Sequence, residues 1–150
     1  MAPPRDLDAT DVQILELLEA DARRTLADIG SRVGLSAPAV KRRIDRLETL
    51  GIITGWTITV DHDRLGRPLE AFTELRFAGG TSVDDITATA SKLPEVRAVF
   101  ATAGDPDALC WIRVRDIADL KRVVDQLRRS GGVMGTKTLM VIDTWTRPGP

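Results

Sequence analysis

Residues 25–50, TLADIGSRVGLSAPAVKRRIDRLETL, restrict what this chain can fold into more than any other stretch. They spell two short helices joined by a tight turn. Leu26, Ile29 and Val33 recur at helical spacing and give the first helix one apolar face. Thr25 can cap that helix, with Asp28 three positions on, a capping box with aspartate in place of glutamate or glutamine. Gly34 then stops it, because glycine enters the left-handed conformation of a sharp turn without steric cost. Ser36 is a second cap, and Pro38 falls in the following first turn, where a missing N–H matters little. Val40, Ile44 and Leu47 make the second apolar stripe, and Ala37, Lys41, Arg42 and Arg46 lie on the opposite side. This is helix-turn-helix geometry, in which the N-terminal half of the second helix can enter a DNA major groove.

Charge supports that reading locally and not globally. The 150 residues carry a formal net charge of −1. Yet Lys41, Arg42, Arg43 and Arg46 share one helix with Asp45 as the single acid among them, and Arg23, Arg24 and Arg32 lie nearby. One basic face on a near-neutral chain fits a regulator better than a coating protein. Chemistry is thinly supplied. There is no tyrosine, one cysteine (Cys110) and one histidine (His62, between Asp61 and Asp63). No internal disulfide, no cysteine-based metal cluster and few nucleophile–base arrangements can be built from these. The expectation is a protein that is not an enzyme and needs no cofactor or metal. No run approaches the roughly 20 apolar residues of a membrane span, and the opening MAPPRDLD has no apolar core, so a cytoplasmic location is expected.

The pattern divides the chain into a helix-turn-helix domain at residues 1–60, a linker at 61–68 and a second domain at 69–150. In the first, Asp8 caps a helix to about Ala20, with Ile14, Leu17 and Leu18 inward and Val12 and Leu15 widening that face. Gly51 ends the second helix of the pair, and residues 52–60 lead out as an extended segment. From Leu69 the period changes to two. A strand at 69–77 is followed by a Ser82-capped helix ended by Pro94, strands at 96–103 and 109–114, an Asp116-capped helix with Ile117, Leu120, Val123, Val124 and Leu127 inward, and a long strand at 133–145. The order βαββαβ is the ferredoxin-like split pattern, so the fold class is α+β with an antiparallel sheet. Helices cover one sheet face. The other carries Phe72, Phe100, Trp111, Ile112, Met140 and Ile142, and an apolar face of that size calls for a second copy of the chain.

This order of parts resembles the Lrp/AsnC family, also called feast/famine regulators, across nearly the whole chain. The resemblance rests on LDATDVQILELL at 7–18, DARRTLADIGSRVGLSAPAVKRRIDRLETLGIITGW at 21–56, GDPDAL at 104–109 and GVMGTKTLMVID at 132–143. It implies a winged-type helix-turn-helix domain, a ferredoxin-like domain that dimerises, assembly of dimers into rings, often octamers, and amino acids as effectors. The expected function is therefore a sequence-specific transcriptional regulator of amino-acid metabolism that binds double-stranded DNA through Ser36, Ala37, Pro38, Ala39, Lys41, Arg42, Arg43 and Arg46. Arg43 has an alternative reading, an ion pair with Glu48 or Glu16. The effector pocket implied by the family comprises Thr102, Gly104, Asp105, Asp107, Thr136 and Thr138. Two positions depart from the family's pattern: Gly30 stands where alanine is usual, and Pro106 where an aromatic residue often precedes the aspartate. Two rivals are a constitutive architectural DNA-binding protein and a haem-biosynthesis decarboxylase-like enzyme. The second would have to work with His62 alone.

Overall fold

The computed structural model describes residues 7–145. The chain divides near residue 60 into two units, each with its own hydrophobic core.

The N-terminal unit consists of α1 (Ala9–Ala20), α2 (Leu26–Val33) and α3 (Ala37–Thr49). Each helix starts where a side-chain oxygen satisfies a backbone N–H that has no partner inside the helix. Asp8 accepts from the N–H of Asp11 at 2.8 Å, and Asp11 accepts from the N–H of Asp8 at 3.3 Å. Thr25 and Ser36 cap α2 and α3 as their sequence positions predict. Ile14, Leu18, Ile29, Val40, Ile44 and Leu47 form the core. Val12, expected to widen the inward face of α1, is exposed instead, and Asp11 beside it is fully buried. Gly34 adopts φ +72° between α2 and α3. Gly30 is where the pair touches: its carbonyl accepts from the N–H of Leu35 at 2.9 Å, and a Cβ there would lie 2.4 Å from the carbonyl oxygen of Leu35. After α3, the N–H groups of Ile52 and Ile53 donate to the carbonyl of Leu47, and both side chains pack on the core. Residues 54–60 carry neither helix nor strand.

The C-terminal unit follows the predicted βαββαβ order: β1 (Leu69–Phe77), α4 (Val83–Ala90), β2 (Val96–Ala101), β3 (Ala108–Val114), α5 (Ile117–Arg129) and β4 (Val133–Met140). The sheet runs β2-β3-β1-β4 with every pair antiparallel. Several boundaries differ from the sequence reading. Helix α4 stops at Ala90, four residues before Pro94, because residues 91–93 close as turns onto Thr87, Thr89 and Ala90. Strand β2 ends at Ala101, where the loop to β3 folds back, and β4 ends at Met140 although apolar residues continue to Trp145.

Sheet alternation also reassigns faces. Ala71, Leu75, Ala108, Cys110, Ile112 and Val114 are buried beneath the helices with Ile86, Leu120, Val123 and Leu127. Ile112 therefore cannot share the open face with its neighbour Trp111, since successive strand residues point to opposite sides. Met140 pairs with Ala71 and so belongs to the helix-side row, whereas Leu139 pairs with Phe72 on the open face. The open face carries Phe72 stacked on Trp111 (centroids 6.4 Å apart), Leu109, Phe100 and Leu139. Ile117, expected inside, is 65% exposed at the first position of α5. No helix among the described residues is long and apolar enough to cross a membrane.

Candidate nucleic-acid interface and ligand site

The basic helix α3 has three distinct sides. Val40, Ile44 and Leu47 are its buried side. At about 3.6 residues per turn, Pro38 and Arg42 lie opposite that stripe. Arg42 is exposed and makes no hydrogen bond or ion pair to any described residue. Lys41 is exposed too and pairs with Asp45 at 2.6 Å along the helix. The N-terminal end is open: Ser36 spends its hydroxyl on the N–H of Ala39, and Ala37, Pro38 and Ala39 present small side chains around it. Small residues let a helix end approach a nucleic-acid backbone closely.

The third side faces α1. Arg43 donates from one Nη1 to Asp8 and to Asp11, both at 2.7 Å. Arg46 reaches the other oxygen of Asp11 at 3.2 Å. Arg43 is held by an ion pair, but its partners are Asp8, the cap of α1, and Asp11 in its first turn, and not the Glu48 or Glu16 that the alternative reading named. The hydrogen bonds that Arg43 donates to Asp11 and then to Asp8 raise the Arg43 pKa, and the bond from Arg43 is the main cause that lowers that of Asp8. Asp11 was missed because an acid in the first turn of a helix reads as a solvated dipole partner. Its burial depends on two guanidiniums arriving from more than thirty residues away. Asp8, Leu35, Ala39, Arg42, Arg43 and Arg46 line a cleft of about 420 Å³ between α1 and α3. The flanking arginines are less available: Arg24 and Arg32 both bind Asp28, at 2.6 and 3.2 Å.

In the C-terminal unit the loop from β2 to β3 is tied down by its own acids. Asp107 accepts from the N–H of Phe77 at 2.7 Å and donates its own N–H to the carbonyl of Leu75 at 3.1 Å. Asp105 receives Arg76 in a two-pronged pair at 2.7 and 3.2 Å. Thr102 donates its hydroxyl to the carbonyl of Pro106, and its N–H goes to the carbonyl of Asp107. Gly104 is exposed in this loop. Thr136 and Thr138 lie on β4 opposite Leu75 and Thr73 and line a different cleft, of about 340 Å³, with Ile117, Leu120, Val124 and Arg128 of α5. The hydroxyl of Thr138 bonds that of Thr73 at 3.0 Å. The six expected pocket residues are therefore split between a self-bonded loop and a half-apolar cleft. Arg76, which sequence reasoning did not select, joins the loop to β1.

Comparison with known proteins matches this division of the chain. Residues 7–48 match the AsnC-type helix-turn-helix domain, and residues 70–149 match the Lrp/AsnC ligand binding domain. The chain belongs to the Lrp/AsnC family. It is similar to the HTH-type transcriptional regulator Rv2324 of Mycobacterium tuberculosis, at 37% identity over 91% of this chain and 92% of that protein. It is 30% identical to the HTH-type transcriptional regulator LysM of Saccharolobus solfataricus, over 93% of this chain and 96% of the relative. Among solved structures it resembles the transcriptional regulator NMB0573 of Neisseria meningitidis in complex with L-Met. That likeness has a TM-score of 0.88 at 28% identity and covers 94% of this chain and 93% of the other. The leucine response regulatory protein LrpA of Mycobacterium tuberculosis gives a TM-score of 0.82 at 27% identity, covering 96% and 98%. As an Lrp/AsnC protein this chain is a transcriptional regulator with a DNA-binding helix-turn-helix and a ligand-binding domain.

Proposed function

We propose that the protein recognises specific duplex DNA by laying the N-terminal half of α3 in the major groove, and that an amino acid bound to the C-terminal unit modulates its activity at genes of amino-acid metabolism. The observation that carries the first half is Arg42. It stands opposite the buried stripe of α3, exposed and unpaired among the described residues, beside the small residues at the helix start. A guanidinium in that position can bond a guanine edge in two-pronged fashion or hold a phosphate. Lys41 and Arg46 contribute charge on either side. The second half draws on the ligand-binding domain at 70–149 and on the L-Met complex of the Neisseria relative. Hydroxyls of Thr102, Thr136 and Thr138 and the backbone at Gly104 suit a carboxylate, and Asp105 or Asp107 suits an ammonium group. The open sheet face supports a homodimer, whose two-fold symmetry predicts paired half-sites, and the family supports further assembly to a ring such as an octamer.

Anisotropy titrations on DNA from upstream of the protein's own gene test this, run at two salt concentrations with and without each amino acid. Specific, salt-sensitive binding that one amino acid shifts is expected. Arg42→Ala should weaken specific binding by about 1–3 kcal/mol; an unchanged affinity at matched salt would remove α3 from the groove.

A second reading, DNA binding without effector gating, is favoured by the engagement of both loop acids, Asp105 with Arg76 and Asp107 with the backbone of Phe77. A footprint whose length no amino acid alters would select it.

A further inference from the structure

The cleft between α1 and α3 holds a feature that the groove-facing residues do not explain. Asp8 uses its two oxygens differently. Oδ1 caps α1 through the N–H of Asp11, and Oδ2 takes a hydrogen bond from Arg43. Asp11 uses both of its oxygens on arginines, one on Arg43 and one on Arg46. The two acids differ sharply in access to water: the Asp8 side chain is 54% exposed and that of Asp11 is 0% exposed. The buried contact is the permanent one. Leaving Asp11 without its partners would strand a charge in the interior, which is strongly unfavourable. The exposed contact is cheap to exchange, because an ion pair open to water contributes little.

We propose that this cleft is a seat for a DNA backbone phosphate, that Asp8 Oδ2 stands where the phosphate oxygen binds, and that Asp11 is the positioning residue that keeps Arg43 and Arg46 aimed when Asp8 gives way. The assignment rests on the DNA-binding reading of α3. Three observations support it. The wall of the cleft is continuous with the groove-facing side of α3, since Ala39 and Arg42 line it together with Arg43 and Arg46. A major groove about 12 Å wide, filled by a helix about 10–12 Å across, brings a phosphate backbone along each flank of the recognition helix, the flank facing α1 included. A phosphodiester also presents two unesterified oxygens, as a carboxylate does, so the guanidinium fork that fits one fits the other. Arg43 is then a phosphate ligand that carries no sequence information, and the bound carboxylate of Asp8 sets a threshold against weak, sequence-independent binding.

Asp8→Asn isolates the proposal. Asparagine caps a helix as well as aspartate does, so the bond to Asp11 N–H is retained and only the acceptor used by Arg43 is lost. The assay is binding of the full chain to a short random-sequence duplex across a salt series, with melting curves to confirm that each variant folds. Asp8→Asn should bind severalfold tighter than the wild type, and its logarithmic salt slope should steepen by about 0.9, the value for one more neutralised phosphate. Glu16→Gln removes an equal charge from an exposed position of α1 outside the cleft and should change the slope much less. The Asp8→Asn gain should also vanish in an Arg43→Gln background; if that background does not fold, the comparison with Glu16→Gln still decides. An unchanged slope in Asp8→Asn, or an equal change in Glu16→Gln, overturns the assignment while leaving DNA binding intact. Absence of wild-type binding to any duplex at low salt overturns both readings together. Melting in inorganic phosphate against chloride at equal ionic strength separates the sources of the anion. No phosphate-specific shift is expected, and a shift that Asp8→Asn enlarges would make free phosphate the ligand and overturn the DNA assignment.

Discussion

Gly30 carries two opposing effects in a single missing methyl group. Alanine there would favour α2 by up to about 1 kcal/mol through helix propensity. Its Cβ would also be driven to 2.4 Å from the carbonyl oxygen of Leu35, a backbone atom that cannot swing aside. Forcing an extra carbon into a packed contact costs about 1–3 kcal/mol, so the clash outweighs the propensity. Gly30→Ala should lower the denaturation midpoint and weaken DNA binding together, because the displaced segment is the turn that aims α3; a midpoint at or above the wild type would show that the turn has room to relax. Cys110 gives a second prediction for one side chain. It is fully buried in β3, and burial pushes its thiol pKa up to about 12. The thiolate is the reactive form, so a thiol reagent at pH 8 should leave the native protein unlabelled and label one site per chain in denaturant. Rapid labelling of the native chain would mean that β3 opens readily.

Helix ends and helix pairs are where ionisation enters. The carboxyls of Asp8, Asp28, Asp85 and Asp119 are all held below their ordinary pKa, by Arg43, Arg24, Ser82 and Arg115 respectively as the leading cause. A group depressed on folding stabilises in full above its unfolded value, near 3.9 for aspartate, and loses that contribution as pH falls through the lower folded value. Melting temperature at fixed ionic strength should therefore be flat from about pH 5 to pH 8 and should fall below about pH 4. A fall between pH 7 and pH 5 would point to a titrating group other than these four acids. All four serve helix starts: Asp8 caps α1, Asp28 and Asp119 lie in the first turns of α2 and α5, and Asp85 closes the capping box of α4. Acid should loosen those helices before it disturbs the apolar cores.

The proposed homodimer would form through the open face of the sheet. Helices α4 and α5 cover one face, and the other presents Phe72, Trp111, Leu109, Phe100 and Leu139, ringed by the pairs Glu70–Arg113 and Glu74–Lys137. Phe100 and Leu139 are about half exposed in the single chain. Carboxylates at these two positions, on the edge strands β2 and β4, would cost the isolated unit little and would place unpaired charge within a sheet-to-sheet contact, where it is strongly unfavourable. Phe100→Glu with Leu139→Glu should give a folded protein of lower mass than the native assembly by light scattering, with weaker binding to paired half-sites. A variant that keeps the wild-type mass would place the interface elsewhere. The three-helix unit, with six buried core residues among those described, buries little surface for its length, and the proposed dimer would supply the two recognition helices that a palindromic site requires.

Local rules made most of this legible before any coordinates. Thr25, Gly34, Ser36 and Pro38 mark the helix-turn-helix because capping and left-handed turns act over a few residues, and all four behave as their chemistry dictates. The βαββαβ order follows equally from the change of period at Leu69 and from the caps at Ser82 and Asp116. What escaped depends on pairing across the chain. Ile112 and Met140 were placed on the wrong face because a one-residue difference in register reverses every side chain. Strand β4 ends at Met140, and its ladder with β1 runs out after one further bond, from the N–H of Val141 to the carbonyl of Glu70, whatever apolar residues follow. The partners of Arg43 lie on another helix, and no periodicity in α3 indicates that a buried Asp11 waits there. The candidate ligand site divided for the same reason, since the partners of Asp105 and Asp107 are on β1 and those of Thr136 are on α5. Capping, turns and amphipathic period are near-neighbour physics and can be read along the chain; register, burial of charge and the filling of clefts belong to residues far apart in sequence, and three-dimensional packing alone brings them together.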